Sequence, residues 1–234
     1  MLYIISTPIG NLKDITLRAI ETLKAVDLIA AEDTRHTGIL LKHYEITTPQ
    51  TSYFEHNEDR KSQYLLGLLK EGKNVALVSD AGTPGISDPG FRLVQLAQEQ
   101  GIPVTVVPGA CAAIAALTLS GFPSDRFCFE GFFPVKSSGR RKKLETLKDE
   151  TRTLIFYESP HRIAKTLKDI EDVLDNPSVV VAREITKKFE EVKKGNARDL
   201  AAYFSSKKVK GELVILVNVK IQNPKSKWIS NQTI

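Results

Sequence analysis

The sequence has few cysteines and no long apolar run, and each shortage excludes a class of protein. Its two cysteines, Cys111 and Cys128, are too few for a disulfide framework and lack the spacing of metal ligands. We therefore expect a reduced, cytoplasmic protein without a metal site. No apolar stretch reaches the roughly 18 residues that a transmembrane helix needs. The first residues are typical of a strand and show no signal-peptide pattern, so we expect no membrane association.

Neither sign of charge dominates the 234 residues. The chain has 33 lysines and arginines and 28 aspartates and glutamates, which leaves a net charge of +5. This balance permits an anionic partner, such as a nucleic acid, but does not require one. The hydrophobic content of 41% is enough for a substantial core, and the length fits one large domain or two small ones.

Strands and helices alternate through the first half of the chain. Short apolar runs predict strands over Leu2–Ser6, Leu28–Ala31, Gln50–Tyr53, Asn74–Ser79 and Val104–Val107. Apolar residues at helical spacing predict helices over Thr16–Ala25, Thr37–His43, Lys61–Glu71, Gly90–Gln100 and Ala112–Leu119. This alternation is typical of a mostly parallel sheet with helices on both faces.

The second half predicts a mixed sheet. Its strands are expected over Phe127–Gly131, Thr153–Tyr157, Val179–Glu184, Glu190–Lys194 and Glu212–Val219, and its helices over Arg140–Lys148, Arg162–Leu174 and Ala197–Ser205. The third and fourth of these strands are close enough to form an antiparallel hairpin. We therefore predict an α/β protein of two domains, residues 1–119 and 120–220, followed by a loosely ordered tail over residues 221–234.

The loop Asp80–Gly90 is the first candidate for a binding site. It contains three glycines and two prolines and follows an apolar strand, and the carboxyl ends of parallel strands are where open α/β sheets bind ligands. Its glycines allow a ligand to approach the backbone, and Asp80 and Asp88 can accept hydrogen bonds. The alternative is a tight surface turn with capping aspartates. A second loop, Pro108–Ala113, leaves room for a ligand because its residues are small.

Three further segments place polar side chains after predicted strands. Arg35 follows the second strand and can hold a phosphate, whereas Asp33 beside it is equally suited to capping a helix. His56 lies among aromatic residues after the third strand, a combination that suits unstacked bases but also fits a solvated histidine. The segment Tyr157–Arg162 groups Glu158, His161 and Arg162, with a capped helix N-terminus as the alternative. No dinucleotide fingerprint or P-loop is present.

Basic residues are concentrated in several short clusters. The segment Lys136–Lys143 is interpreted as a basic loop that can adapt to a phosphate backbone. Its candidate RNA-binding residues are Lys136, Arg140, Arg141, Lys142 and Lys143. The clusters Lys187–Lys188, Lys193–Lys194 and Lys207–Lys210 are interpreted as solvated surface.

Five motifs together resemble those of a known family. They are Ser6–Leu12, Ala31–Arg35, Asp80–Gly90, Val107–Gly109 and Tyr157–Arg162, in this order along the chain. The chain is similar, up to about Val219, to the ribosomal small-subunit methyltransferase I group of the tetrapyrrole methylase-like (class III) methyltransferases. Tetrapyrrole-modifying members have a glycine-rich run where this chain has Ser6–Leu12, so the resemblance favours the ribosomal branch. Longer members have an extra C-terminal segment, and we expect its RNA contacts to be absent or replaced here.

The resemblance implies a homodimer of two-domain protomers that binds S-adenosylmethionine in the cleft between the domains. It implies transfer of a methyl group to the ribose 2′-hydroxyl of a cytidine near the decoding centre of 16S rRNA. The substrate would be naked rRNA or the assembled small ribosomal subunit. By motif, the implied cofactor-binding residues are Pro8, Ser79, Asp80, Thr83, Cys111, Ala112, Tyr157 and Ala182.

The chemistry of ribose methylation requires a base or a stabilising cation near the hydroxyl. Glu158, Asp33 and His161 are the candidate bases, and Arg35 and Arg162 the candidate phosphate or oxyanion ligands; Arg35 and His56 also belong to the expected RNA-binding set. The sequence does not choose among them. Two alternatives stay open: a methyltransferase acting on a tetrapyrrole-like small molecule, and a non-catalytic RNA-binding assembly factor that retains a cofactor site.

Overall fold

The computed structural model describes residues 1–220, which form two compact units. The first unit is Met1–Cys111, and the second begins at Ala112. The helix that starts at Ala112 therefore groups with the second unit, and the predicted domain bounds of 1–119 and 120–220 stay a prediction. The tail predicted over residues 221–234 lies outside the described residues.

The first unit is a parallel sheet of five strands. The strands are β1 (Leu2–Ile5), β2 (Leu28–Ala31), β3 (Gln50–Ser52), β4 (Val75–Val78) and β5 (Val104–Val107), in the spatial order β3-β2-β4-β1-β5. Between them lie the helices α1 (Leu17–Ala25), α2 (Thr34–His43), α3 (Glu58–Lys70) and α4 (Phe91–Glu99). Helix α2 begins three residues earlier than predicted because the Asp33 side chain caps it by accepting a hydrogen bond from the Arg35 backbone N–H.

Helices cover both faces of this sheet. On one face, Leu23 of α1 and Leu41 of α2 pack against alternate strand residues such as Ile5. On the other, Leu65 of α3 and Leu93 of α4 pack against the intervening strand residues. The alternation of strand side chains between two apolar layers explains why these strands have almost continuous hydrophobic runs.

The second unit is built on a mixed sheet. Its strands are β6 (Phe127–Phe132), β7 (Thr153–Glu158), β8 (Ser178–Arg183), β9 (Glu191–Asn196) and β10 (Leu213–Asn218), in the order β6-β7-β10-β8-β9. Only the β6–β7 pair is parallel, and β8 and β9 form the predicted antiparallel hairpin. The helices are α5 (Ala112–Ser120), α6 (Ser137–Glu145), α7 (Ile163–Val173) and α8 (Ala197–Ser205).

The two faces of the second sheet are also covered. Helices α6, α7 and α8 contribute Leu144, Leu167 and Phe204 to a core with alternate residues of β7, β8 and β10. Helix α5 contacts β7, β8 and β10 within the same unit. The predicted class, an α/β protein with one mostly parallel and one mixed sheet, is confirmed.

One local prediction is wrong. The segment Lys136–Lys143, interpreted as a basic loop, is largely helical, because α6 begins at Ser137. Helical spacing turns Arg140 and Leu144 towards the core, where both are buried. The sequence did not indicate this buried face, because Arg140 lies in a run of basic residues and a cation is not expected in a core. Within residues 1–220, no helix is both long enough and apolar enough to cross a membrane.

Candidate functional site

The loops that follow β1 and β4 are joined at the carboxyl edge of the first sheet. The backbone N–H of Thr7 donates to the carbonyl of Gly82 at 2.8 Å, and the N–H of Gly82 donates back to the carbonyl of Thr7 at 3.1 Å. The hydroxyl of Thr7 donates to the carbonyl of Ser79 at 3.0 Å. These bonds fix the start of the glycine- and proline-rich loop beside the first turn, where Pro8 is buried.

The loop after β5 is attached to the same group. Thr83 Oγ1 lies 2.9 Å from Ser6 Oγ and donates to the carbonyl of Ala110 at 3.3 Å. Gly109 passes so close to β1 that a Cβ atom there would lie 2.9 Å from the Cβ of Ser6. Only glycine permits this approach, so the small residues before Cys111 serve the packing of three loops.

Acidic residues extend the site towards β2. Asp80 Oδ1 accepts a hydrogen bond from the backbone N–H of Asp33 at 3.0 Å. The backbone N–H of Asp80 in turn donates to Glu32 Oε2 at 3.1 Å. The carboxyl ends of β2 and β4 are therefore linked in both directions, and the structure brings together the predicted residues Asp33, Ser79, Asp80 and Thr83.

Two carboxyl groups of this edge have raised pKa values. Burial, with the nearby charge of Glu32, raises the pKa of Asp88 to about 7, against a weaker opposing hydrogen bond from Ser79. Burial also raises the pKa of Glu32. Asp88 was predicted only as a hydrogen-bond acceptor of this loop, and Glu32 was not among the predicted site residues. Their signal in the sequence is position alone: Glu32 directly follows β2, and Asp88 lies in the loop after β4. A carboxyl group that is buried there must be either paired or desolvated.

Arg35 is paired with the residue that caps its helix. Its Nε and Nη2 donate to the two carboxylate oxygens of Asp33 at 3.1 and 2.7 Å. These bonds to Arg35 lower the pKa of Asp33. The Arg35 side chain is nevertheless 89% exposed, so its outer face stays accessible to an anion. In this structure Asp33 is a capping acceptor held as an anion.

The end of β3 is tied to the same long loop. The hydroxyl of Tyr53 donates to Glu58 Oε1 at 2.9 Å, and this oxygen also accepts from the backbone N–H of Gly90 at 3.2 Å. Burial raises the pKa of Tyr53, so its hydroxyl stays protonated and donates this hydrogen bond. His56 lies in the neighbouring 3₁₀ turn with an exposed side chain, in an edge-to-face contact with Phe54. The loop is therefore anchored at both of its ends.

The second unit aligns two of the residues that the resemblance assigns to the cofactor. Tyr157 of β7 and Ala182 of β8 are both register partners of Val214 on the central strand β10. Directly opposed residues of neighbouring strands share one face of a sheet. Tyr157 and Ala182 therefore lie in one row on one face, and Ala112 lies at the start of α5, which packs within this unit.

The structure places Glu158 on the opposite face of this sheet. Its buried carboxylate accepts hydrogen bonds from the Ser159 backbone N–H and the Thr166 hydroxyl, each at 2.6 Å, and pairs with Arg162 Nη2 at 2.6 Å. These contacts connect the end of β7 to the first turn of α7 and stabilise that turn. Glu158, His161 and Arg162 all lie near the start of α7, as predicted, but of the three only His161 is exposed. We therefore no longer treat Glu158 as a candidate base.

The basic residues of α6 differ in their surroundings. Arg140 is 3% exposed and forms an ion pair with the buried Asp169 at 2.8 Å. Arg141 pairs with Asp169 and Asp172, and Lys143 pairs with Glu130. Lys136 and Lys142 are exposed. Burial excludes Arg140 from a phosphate contact in this conformation, so our RNA-binding prediction for this segment now centres on Lys136 and Lys142.

Metal-ligating side chains do not cluster in the part of the chain described. No group of three or more histidines, cysteines, aspartates and glutamates there is placed to hold a metal ion. The linked loops of the first unit instead offer carboxylates, hydroxyls and accessible backbone. Such a donor set suits an organic ligand with hydroxyl and amino groups.

Comparison with known proteins identifies relatives over the whole chain. Residues 1–201 match the family of Tetrapyrrole (Corrin/Porphyrin) Methylases. The chain is 52% identical to Ribosomal RNA small subunit methyltransferase I of Haemophilus influenzae, over 100% of this chain and 84% of that protein. It is 47% identical to the protein of the same name from Thermotoga maritima, over 94% of this chain and 98% of that protein.

Solved structures with the same fold are more distant in sequence. A structure of diphthine synthase has a TM-score of 0.73 at 14% identity, covering 93% of this chain and 88% of that one. A uroporphyrin-III-C-methyltransferase from Thermus thermophilus has a TM-score of 0.65 at 20% identity, covering 93% and 94%. At these identities the likeness establishes the fold alone.

Proposed function

The chain belongs to the ribosomal RNA small subunit methyltransferase I family, within the tetrapyrrole methylases, and on this premise we propose that it methylates 16S rRNA. The proposed reaction transfers a methyl group from S-adenosylmethionine to the ribose 2′-hydroxyl of a cytidine near the decoding centre. The observation that carries the proposal is the identity of about half of all residues to relatives of that name. Together with the family resemblance, it favours the rRNA substrate over a tetrapyrrole-like small molecule, the alternative.

The loops of the first unit fit the proposed cofactor. S-adenosylmethionine has ribose hydroxyls and an amino group that need acceptors, and Asp80 and the hydroxyl of Thr83 lie three residues apart in the loop after β4, which contacts the loops after β2 and β5. The approach of Gly109 to Ser6 keeps the turn after β5 free of side-chain bulk. We propose that Pro8, Ser79, Asp80, Thr83 and Cys111 contact the cofactor. The assignments of Ala112, Tyr157 and Ala182 stay predictions.

Bound S-adenosylmethionine would supply a methyl group already activated by its sulfonium. The tasks left to the chain are to orient the ribose and to accept its proton. Asp88 is matched to the second task, because a carboxyl group with a pKa of about 7 can accept a proton near neutral pH. His161 and Asp33 stay candidates, although Asp33 is held as an anion by Arg35. The exposed outer face of Arg35 is suited to an rRNA phosphate.

The proposal includes the expected assembly and location. We propose a homodimer, as the resemblance implies, and a cytoplasmic protein, because the small ribosomal subunit is assembled there. A molar mass from light scattering near twice the 26.0 kDa of one chain supports the dimer, and one near 26.0 kDa contradicts it.

The decisive experiment maps ribose methylation of 16S rRNA. Cells with and without this protein are compared by mass spectrometry of nuclease fragments, and purified protein is incubated with labelled S-adenosylmethionine and either naked 16S rRNA or small subunits. In cells without the protein, we expect one cytidine of 16S rRNA to lack its 2′-O-methyl group. In vitro, we expect the purified protein to transfer labelled methyl to that same cytidine. An unchanged map and no transfer to either RNA substrate would refute the proposal. Binding of RNA without transfer would favour the non-catalytic assembly factor.

A further inference from the structure

The turn between β8 and β9 has an unusual backbone. Glu184 and Thr186 both have positive φ angles, 52° and 68°, although neither is glycine. A positive φ is a pronounced outlier for a β-branched residue such as threonine. The hydroxyl of Thr186 is also buried without a hydrogen-bond partner among the described residues. Strain of this kind persists only where surrounding contacts impose it, and it is concentrated at functional sites.

The contacts that impose this shape come from inside and outside the turn. The Glu184 carboxylate accepts hydrogen bonds from Lys187 Nζ and from the backbone N–H of Glu212, both at 3.0 Å. Lys187 Nζ also donates to Glu212 Oε2 at 2.8 Å. Gly211 lies directly against the Glu184 side chain, leaving no space for a Cβ atom. The turn is therefore a fixed structure rather than a flexible connection.

This fixed turn presents Lys188 and Phe189 outward. Phe189 is 64% exposed, which is unusual for a large apolar side chain on an ordered hairpin. Lys188 Nζ lies 5.7 Å from the centre of the Phe189 ring. An exposed aromatic face with a cation beside it is the combination that proteins use to stack an unpaired base and hold its phosphate.

The surroundings of the turn are basic. Residues 183–212 contain nine lysines and arginines and five glutamates and aspartates, so this stretch carries four of the chain's five net positive charges. The guanidinium of Arg183 donates to the carbonyl of Lys210, which places the Lys207–Lys210 cluster beside the hairpin. The concentration of positive charge favours a polyanion over a second protein as the ligand of Phe189.

We propose that the tip of the β8–β9 hairpin is an RNA contact, in which Phe189 stacks on an unpaired base of the rRNA and Lys188 binds an adjacent phosphate. This inference rests on the proposed function and adds a docking surface to it. It also replaces our interpretation of Lys187–Lys188 as solvated surface. Lys187 has a supporting role, because its ammonium group is committed to Glu184 and Glu212.

The test compares Phe189→Ala with Phe91→Ala, a matched change at a phenylalanine that is 74% exposed in the first unit. The probe is the small ribosomal subunit from cells lacking this protein. Base–aromatic stacking contributes about 1–3 kcal/mol, so Phe189→Ala should raise the Kd for subunits by about 5- to 150-fold. Phe91→Ala should not change it. The melting temperature and the Kd for S-adenosylmethionine should match the parent in both variants.

A second readout reports stacking directly. Phe189→Trp in a Trp228→Phe background contains a single tryptophan, since the chain has one. We expect near-parental affinity and a tryptophan fluorescence that is quenched when subunits are added. Lys188→Gln should reduce the slope of log Kd against log salt by about one unit, and Lys70→Gln on α3 should leave the slope unchanged.

The outcomes separate this inference from the proposed function. If the parent methylates subunits while Phe189→Ala binds them as well as Phe91→Ala does, only the hairpin contact is overturned. If Phe189→Ala changes the elution volume of the protein but not its affinity for subunits, Phe189 belongs to a protein interface and the inference is again overturned. If the parent neither binds nor methylates subunits or naked 16S rRNA, both proposals fail.

Discussion

Glu158 and Arg162 form an ion pair across the first turn of α7, with Oε1 2.6 Å from Nη2. The Glu158 carboxylate is buried, and the Arg162 side chain is 20% exposed. Both residues were predicted to act near the reacting ribose. Their mutual contact, on the sheet face opposite Tyr157 and Ala182, is the basis on which we propose a structural role for both residues.

The first prediction tests this structural role with Glu158→Gln. The amide keeps the shape of the side chain but leaves Arg162 without its counter-charge, so we expect the free energy of unfolding to fall by about 3 kcal/mol. The kcat at saturating subunits should stay within threefold of the parent, whereas loss of a general base would lower it by about 10²–10⁴-fold. Urea unfolding and single-turnover assays measure the two effects. Glu145→Gln, at an exposed ion pair, is the control.

The second prediction separates Arg140 from Lys142, two residues of the same helix. Arg140→Ala leaves the buried Asp169 carboxylate without its main partner and should cost about 3–5 kcal/mol of stability. The salt dependence of RNA binding should not change. Lys142→Ala, at an exposed position, should leave stability within about 0.5 kcal/mol and reduce the salt slope by about one unit. The reverse pattern would restore Arg140 as an RNA ligand.

The third prediction concerns the cofactor. Asp80→Ala should raise the Kd for S-adenosylmethionine by about 10- to 150-fold, because a hydrogen bond to a charged group contributes about 1.5–3 kcal/mol. Ala112→Trp should have a similar or larger effect by filling the start of α5. Isothermal titration calorimetry measures both, with Asp59→Ala, a surface ion-pair residue of α3, as the control. Parental affinity in both variants would place the cofactor elsewhere.

The fold was predictable because its signals are local. The apolar run at Val75–Val78, followed by the glycines and prolines of the next loop, is sufficient to indicate a buried parallel strand and its ligand-binding edge. The short separation of β8 from β9 likewise indicated the hairpin. In each case, neighbouring residues determine the local structure, so no knowledge of distant contacts was needed.

The roles of charged residues were less predictable because their partners are distant in sequence. Arg140 pairs with Asp169, 29 residues away, and nothing in the basic run distinguishes it from the exposed Lys142. Asp88 is recognisable in the sequence only as a possible hydrogen-bond acceptor, because its raised pKa depends on burial and on the charge of Glu32, which follows a different strand. Such properties arise only when the chain has folded.

The last prediction concerns the pH dependence of stability that Asp88 confers. Its pKa is about 7 in the folded protein and near 3.8 when unfolded, so the folded state binds the proton more tightly. The resulting stabilisation is complete below about pH 3.8 and is lost as the pH rises through about 7. Between pH 5.5 and 8, the parent should lose about 1 kcal/mol through this group, allowing for partial solvent screening, or about 3 °C in melting temperature.

Asp88→Asn should remove that part of the pH dependence, because the amide retains the polar contact with Ser79 but does not ionise. Its melting temperature should therefore exceed that of the parent at pH 8 and approach it at pH 5.5. Differential scanning calorimetry across this range measures the effect, and Asp125→Asn, at an exposed loop position, should follow the parent at every pH. If both variants follow the parent, Asp88 is ionised throughout this range, and its candidacy as the proton acceptor of the ribose hydroxyl would lose its physical basis.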